Sequence, residues 1–166
     1  MRKTLFILAL LFIVNLSCKK TLDPGGGVCA CSVVAPTLSL VVKNNSGLDL
    51  LNVENIGAFT KSDILLYVKE TNGSTKQLSF QIRPPFLFGN IQFAYYQLFS
   101  SDIIQYARTV ENSIYLKLGN TPEIELNIRI NNSRTEKLFA NKKEVPFEIP
   151  AANSYEYGNN IFSIKI

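Results

Sequence analysis

The residues of this sequence that could do covalent or metal chemistry are three cysteines and a set of carboxylates. The cysteines are Cys18, Cys29 and Cys31, and the chain contains no histidine. Without histidine, Ser-His-Asp and Cys-His catalysis, histidine metal sites and the commonest general base near neutral pH are all excluded. We therefore predict that the protein is not an enzyme and uses no cofactor.

The carboxylates could in principle act in pairs, as general acid and general base. Glu123 and Glu125 alternate along one side of a predicted strand, and Asp49, Asp63 and Asp102 fall near predicted loops. Charged residues that alternate along a strand are typical of a face that meets water. We interpret these carboxylates as surface residues and predict no catalytic residue and no metal ligand among them.

The start of the chain has the pattern of a secretory signal peptide. Arg2 and Lys3 form a short basic region, and residues 5–14 form an unbroken apolar run. The run is roughly half of the ~20 residues that a helix needs to cross a bilayer. We expect this segment to be removed rather than to stay as a membrane span.

Cys18 ends a motif that resembles the lipobox of bacterial lipoproteins, with Asn15 where leucine is usual. In a lipobox the cysteine thiol receives a diacylglycerol, and the peptidase then cuts on the N-terminal side of the cysteine. We predict that residues 1–17 are removed and that acyl chains such as palmitate anchor the protein through Cys18. The alternative is an ordinary signal peptide with a later cut, which leaves Cys18 as a plain thiol or removes it.

Residues 18–36 are predicted to hold the lipid anchor and a flexible tether. Pro24 and the run Gly25–Gly27 cannot form regular structure cheaply. Cys29 and Cys31 also lie here, in a compartment that permits disulfides. Three states stay open for them: a local disulfide, buried or free thiols, and a metal or redox role, to which two thiolates without histidine are poorly suited.

From residue 37 onward, apolar and polar residues alternate with a period of two, which predicts strands with one buried face. The clearest run is Glu123–Ile130, and its apolar members are Ile124, Leu126, Ile128 and Ile130. The same pattern recurs in Leu38, Leu40 and Val42; Ile64, Leu66 and Val68; Leu78, Phe80 and Ile82; Ile114, Leu116 and Leu118; and Phe162, Ile164 and Ile166. Turns are predicted at Asn72-Gly73, at Gly119–Pro122 and around Asn141-Lys142.

These strands predict one all-β domain over residues 37–166. The expected architecture is a β-sandwich of about 7–9 strands, of an immunoglobulin-like kind, with a small β-barrel as the alternative. The segment Ser100–Val110 predicts at most one short helix, with Ser101 as its cap and Ile103 and Ala107 on one side.

Two connections are candidates for contact with a partner, because they are longer than joining two strands requires. Lys43–Ser62 carries Asn52 and Glu54, and Arg83–Asn90 begins with Arg83 and contains Phe86. The competing interpretation is that their apolar residues plug the open end of the sandwich; these are Leu48, Leu50, Leu51, Phe59, Phe86 and Phe88.

Tyr96 is a further candidate contact, from the aromatic stretch that runs from Phe86 to Phe99. If residues 91–99 form one strand, alternation places Tyr96 and Gln92 on its outer side. The inner side would then pack in the core with Ile91, Phe93, Tyr95 and Phe99.

Short motifs within residues 37–148 resemble small uncharacterised lipoproteins of Bacteroidota-type bacteria. The motifs are Asp49-Leu50-Leu51-Asn52, Gly57-Ala58-Phe59, Ser62-Asp63-Ile64, Ile114–Asn120 and Ala140–Lys143. Several members of that group have a glycine where this chain has Lys142. The resemblance implies an outer-membrane or periplasmic lipoprotein and implies no activity.

Charge excludes one class of partner. The chain has 17 basic and 13 acidic residues, a formal net charge of +4, and two of the basic residues belong to the predicted signal peptide. This weak, dispersed charge does not favour nucleic acid, whose binding proteins have concentrated basic patches.

We predict a noncatalytic envelope lipoprotein, lipid-anchored at the outer membrane on its periplasmic or surface face, that binds an envelope protein or has a structural role. The alternative is a surface module that binds carbohydrate or a small ligand.

Overall fold

A computed structural model describes residues 36–107, 113–131, 134–149 and 160–166. The predicted signal peptide, nearly all of the predicted tether and the three positions Cys18, Cys29 and Cys31 lie outside this part of the chain. Within it, no helix is long and apolar enough to cross a membrane.

The described residues are mostly strand, which confirms the predicted all-β class. They form strands β1 Leu38–Lys43, β2 Ile64–Lys69, β3 Thr75–Gln77, β4 Gln81–Arg83, β5 Phe86–Phe88, β6 Ile91–Phe93, β7 Gln97–Ser100, β8 Ser113–Leu118, β9 Ile124–Asn131, β10 Arg134–Ala140, β11 Lys143–Glu144, β12 Phe147–Ile149 and β13 Ile161–Lys165. Helix α1, Ile103–Ala107, follows β7 and confirms the short helix expected after Ser100. A 3-10 turn, Lys61–Asp63, leads into β2.

The strands make two main sheets and one separate hairpin. The five-stranded sheet has the order β12-β13-β1-β7-β4, the six-stranded sheet has the order β11-β10-β9-β8-β2-β3, and β5 pairs with β6. Strands β1 and β13 run parallel, with Leu40 opposite Phe162. None of the sheets formed by the described residues closes into a barrel, so the fold is sandwich-like and the barrel alternative is wrong.

The main core lies between the two large sheets. Leu40 of β1, Leu98 of β7, Leu66 of β2 and Leu116 of β8 are each fully buried in one cluster. Alternation explains this arrangement, because every second residue of a strand points to the same face. The core triplets predicted in β1, β2, β8 and β13 belong to this cluster, with Ile166 packed at its edge.

The β5–β6 hairpin forms a third layer on the outer face of the five-stranded sheet. Phe93 packs there in a second cluster with Val41 and Ile161, which point away from the main core. The Phe86 ring stacks on the Phe93 ring with their centroids 4.4 Å apart. Strand β1 is therefore buried on both faces, and all six of its residues are buried.

The two ends of the sandwich differ in what closes them. At one end, Thr37 leads into β1, and the buried Ile103 of α1 reaches the main core. We call this the lower end. At the other, the upper end, β1 finishes at Lys43 and β13 at Lys165. There the loop that follows β1 covers the core with Leu50 and Leu51, as the plug interpretation predicted.

Two of the predicted strands are wrong. Leu78 and Phe80 are buried in the main core as expected, but they lie between β3 and β4, where the chain crosses from the six-stranded to the five-stranded sheet. Residues 91–99 are also not one strand, since β6 ends at Phe93 and β7 begins at Gln97 in a different sheet. In each case a connection between sheets keeps the apolar spacing of a strand without its pairing.

The predicted turns are confirmed. Gly73, Asn141 and Lys142 have positive φ angles of 82°, 48° and 67°. Such angles favour a glycine, and a non-glycine residue adopts them at a cost in strain. Asn141 offsets part of that strain, because its side-chain oxygen accepts a hydrogen bond from the Glu125 amide at 2.9 Å.

Strand length accounts for the number of strands. Of the 13 strands in the described residues, six contain only two or three residues and seven contain four or more. A period of two needs about four residues to be recognisable. The prediction of about 7–9 strands therefore matches the longer ones and omits the short edge and hairpin strands.

Candidate functional site

The carboxylates examined for catalysis have structural partners. Asp63 accepts hydrogen bonds from both the amide and the hydroxyl of Thr60 in a capping box, which lower the pKa of Asp63. Asp102 accepts a bond from the Ser79 amide at 3.0 Å, beside α1. Among the described residues, no three or more cysteine, aspartate or glutamate side chains come together as a metal-binding group.

Glu123 belongs to a cluster on the outer face of the six-stranded sheet. Its carboxylate accepts hydrogen bonds from the Tyr67 hydroxyl and from the Lys69 ammonium, the latter at 2.7 Å. The Lys69 ammonium also lies 4.1 Å from the centroid of the Tyr115 ring, which stacks on Tyr67. Burial, followed by the bond to Glu123, raises the pKa of Tyr67 to about 12. The cluster ties β2 and β8 to the start of β9.

Lys43 is the largely buried cation on the outer face of the five-stranded sheet. Its ammonium donates to both oxygens of Glu148 at 2.8 Å and lies 3.5 Å from the centroid of the Tyr95 ring. Burial lowers the pKa of Lys43, but the hydrogen bonds to Glu148 and Tyr95 outweigh it and leave the pKa raised. This ion pair joins β1 to the edge strand β12 and satisfies a charge that would otherwise be costly to bury.

The loop between Lys43 and the 3-10 turn is held at the upper end by Asp49. One oxygen of this buried carboxylate accepts a hydrogen bond from the Leu51 amide at 2.9 Å, and the other accepts one from the Tyr96 amide at 2.8 Å. The Leu50 amide donates to the Val42 carbonyl at 2.8 Å, which continues the pairing of β1 into the loop. The base of the loop is therefore fixed to two separate parts of the fold.

Residues Asn52–Ile56, which we call the tip, protrude from this base. The Asn55 amide donates to the Asn52 carbonyl at 2.9 Å, and the Asn55 side chain donates to the Asp49 carbonyl at 2.8 Å. Val53 and Ile56 are 66% and 93% exposed, whereas Leu50 and Leu51 of the same loop are buried. The tip thus presents two aliphatic side chains to solvent on a backbone with a set shape.

A cleft of about 710 Å³ opens at the same end of the molecule. Its walls come from the β8–β9 turn, the β10–β11 hairpin with the two residues after it, and the end of β13. Ile124, Val145 and Ile164 are apolar lining residues, and Lys143 and Lys165 are basic ones. Among the described residues, neither lysine has an ion-pair partner.

The structure separates the five residues predicted as partner contacts. Asn52 and Glu54 lie in the tip, where the Asn52 side chain accepts a hydrogen bond from the Glu54 amide at 3.1 Å. Tyr96 is half-buried against the main core. Arg83 and Phe86 pack on aromatic rings, with the Arg83 guanidinium 3.0 Å from the centroid of Phe99. The tip alone brings two of the predicted residues together.

The second predicted connection is not a loop. Residues 83–90 contain β5, the first strand of the hairpin in the third layer. Phe86 therefore belongs to the second apolar cluster rather than to a plug at the open end, and Phe88 remains 39% exposed on the hairpin. Leu48, also assigned to the plug, is 38% exposed.

Sequence reasoning missed Val53, Ile56 and the cleft. The sequence contains no signal for the exposure of Val53 and Ile56, because each has an apolar residue two or three positions away, as core residues do: Leu51 precedes Val53 by two, and Phe59 follows Ile56 by three. The cleft also had no signal, since its walls come from three segments far apart in the sequence.

Comparison with known proteins adds no relative. The chain matches no protein-family profile, no curated protein and no solved structure.

Proposed function

We propose that this protein is a noncatalytic, lipid-anchored envelope lipoprotein whose upper end docks another protein. The observation that carries the proposal is the exposure of Val53 and Ile56 on the tip. Exposed aliphatic side chains on an ordered protruding segment are typical of interaction sites, because burying them in a partner removes apolar surface from water.

The fixed base of the tip supports binding. Asp49 is bonded to Leu51 and Tyr96, and Asn55 is bonded back to Asp49. A binding segment that already has its shape loses little conformational entropy when it docks, and more of the contact energy remains as affinity.

The position of the tip suits a protein partner. Thr37 enters β1 at the lower end and the tip follows β1 at the upper end. An anchor at Cys18 would join the domain through its lower end, leaving the tip free to reach other envelope proteins. Lipidation of Cys18 and location at the outer membrane remain parts of this proposal, supported by the lipobox-like motif and by the resemblance to Bacteroidota-type lipoproteins.

The packing of the aromatic residues favours a protein partner over a carbohydrate. Sugar binding by stacking needs an open aromatic face. Phe86 instead stacks on Phe93, Tyr115 stacks on Tyr67 and contacts the Lys69 ammonium, and Tyr96 packs against the core.

Affinity capture from solubilised envelope tests the proposal. Val53→Ser with Ile56→Ser should lose the captured protein while the chain keeps its thermal midpoint, because both side chains contact mainly solvent. Leu87→Ser is the matched control, since Leu87 is 70% exposed on the β5–β6 hairpin and should not affect capture. If the wild type, the double variant and Leu87→Ser all capture the partner equally, the upper end is not the docking site.

A further inference from the structure

The tip and the cleft are chemically complementary. The tip offers two exposed aliphatic side chains on either side of Glu54, an exposed carboxylate without an ion-pair partner among the described residues. The cleft offers apolar surface from Ile124 and Val145 beside Lys143 and Lys165, which have no ion-pair partner among the described residues. The other acids that line the cleft are already neutralised, because Glu123 pairs with Lys69 and Glu144 pairs with Lys137.

We propose that the cleft binds the tip of a second copy of this chain. Val53 and Ile56 of one copy enter the apolar part of the cleft of the other, and Glu54 pairs with Lys143 and Lys165. The inference rests on the proposed function, since it names the first protein that the upper end docks. It accounts for two features at once: the exposed aliphatic pair, and two cleft lysines that pair with no acid in the part of the chain that the structure describes.

Both surfaces lie at the upper end, so the contact can be reciprocal. Ile166, at the cleft, donates its amide to the Lys43 carbonyl at 3.0 Å, directly beside the base of the loop that carries the tip. In a dimer with two-fold symmetry, each copy gives its tip and receives the tip of its partner. A two-fold axis along the sandwich leaves both lower ends on the same side, which is compatible with two copies anchored in one membrane.

A charge exchange tests this arrangement in the full-length chain, purified in mild detergent. One variant is Glu54→Lys, and the other combines Lys143→Glu with Lys165→Glu. Each should weaken self-association by more than about tenfold in sedimentation velocity, because like charges then meet in both contacts of the dimer. Mixing the two variants should restore the dimer, since every pair in the mixed dimer again has opposite charges. Arg134→Glu, on an exposed residue at the end of β10 opposite to the end that lines the cleft, should leave self-association unchanged.

Three results would overturn the inference: a wild-type chain that is monomeric throughout, variants that associate like the wild type, or a mixture that stays monomeric. Circular dichroism of each variant checks that a loss of association is not a loss of folding. If the dimer is absent while Val53→Ser with Ile56→Ser still loses capture of another envelope protein, the docking role of the tip stands and the second copy is excluded. If neither association nor capture depends on the tip, both proposals fall.

Discussion

The Asp49 carboxylate accepts a hydrogen bond from the Tyr96 backbone amide at 2.8 Å, although 47 positions separate the two residues in the sequence. Through this bond the segment between the β5–β6 hairpin and β7 holds the base of the tip. The same carboxylate also accepts a bond from Leu51, so one buried side chain organises the upper end.

Asp49→Ala should therefore destabilise the whole domain. The substitution leaves the Leu51 and Tyr96 amides without an acceptor, and a buried amide that loses its partner costs about 1–3 kcal/mol. Denaturant unfolding should show a loss of about 2–5 kcal/mol in the free energy of unfolding. Glu54→Ala, in the same loop but exposed, is the control and should change that free energy by less than about 0.5 kcal/mol. Similar values for the two variants would contradict the role of Asp49.

Neighbouring leucines of β2 give a matched test of the core. Leu66 is fully buried between the sheets, whereas Leu65 points outward and is 40% exposed. Leu66→Ala should lower the free energy of unfolding by about 2–5 kcal/mol, the range for removing a fully buried leucine side chain. Leu65→Ala should cost well under half as much. A larger loss at Leu65 would mean that the register of β2 is wrong.

The raised pKa of Tyr67 predicts a pH dependence. Burial and the hydrogen bond to Glu123 raise it from 10.0 to about 12. The folded state therefore holds the Tyr67 proton more tightly than the unfolded state does. This contribution to the free energy of unfolding is fully present below pH 10.0 and is lost as the pH rises towards about 12. Tyrosinate absorbance should resolve one late step among the seven tyrosines, and Tyr67→Phe should remove it. Persistence of that step in Tyr67→Phe would assign it elsewhere.

Lipidation of Cys18 predicts a defined mature N-terminus. Mass spectrometry of the membrane fraction should find acyl chains on Cys18 as the first residue, and Cys18→Ala should leave the precursor uncut. An unmodified N-terminus that begins after residue 18 would contradict the anchor.

The sequence predicts well what a local period determines. Leu38, Leu40 and Val42 face the main core because alternation alone decides the face of a strand. The turn at Asn141-Lys142 was predictable from Asn141, which favours a positive φ angle, whereas Lys142 adopts one at a cost in strain.

What depends on the third layer was not predictable. Val41 is buried because the hairpin covers a face that alternation assigns to solvent. Lys43 is buried on the same face, where its ammonium contacts Tyr95 and Glu148, although a sequence pattern places it in water. Leu78 lies where the chain crosses between the two sheets. It is apolar because its side chain packs in the main core, and this burial gives the spacing of a strand even though the backbone there is not paired.

The candidate site was predicted in part. Asn52 and Glu54 lie in the tip, but because both side chains are polar we expected them to bind a partner through polar contacts. Val53 lies between Asn52 and Glu54, and Ile56 follows them. Their exposure is visible only in the structure, which shows that neither packs in the core. The cleft depends on the tertiary fold, since Pro122, Val145 and Ile164 meet only there.

Photo-crosslinking in living cells tests the docking role of the upper end most directly. A benzophenone amino acid is placed at position 56 in one full-length variant and at position 87 in another, because both native side chains are well exposed but belong to different faces. The account predicts a discrete protein adduct from position 56 and none from position 87. No adduct at position 56, or the same adducts from both positions, would contradict it.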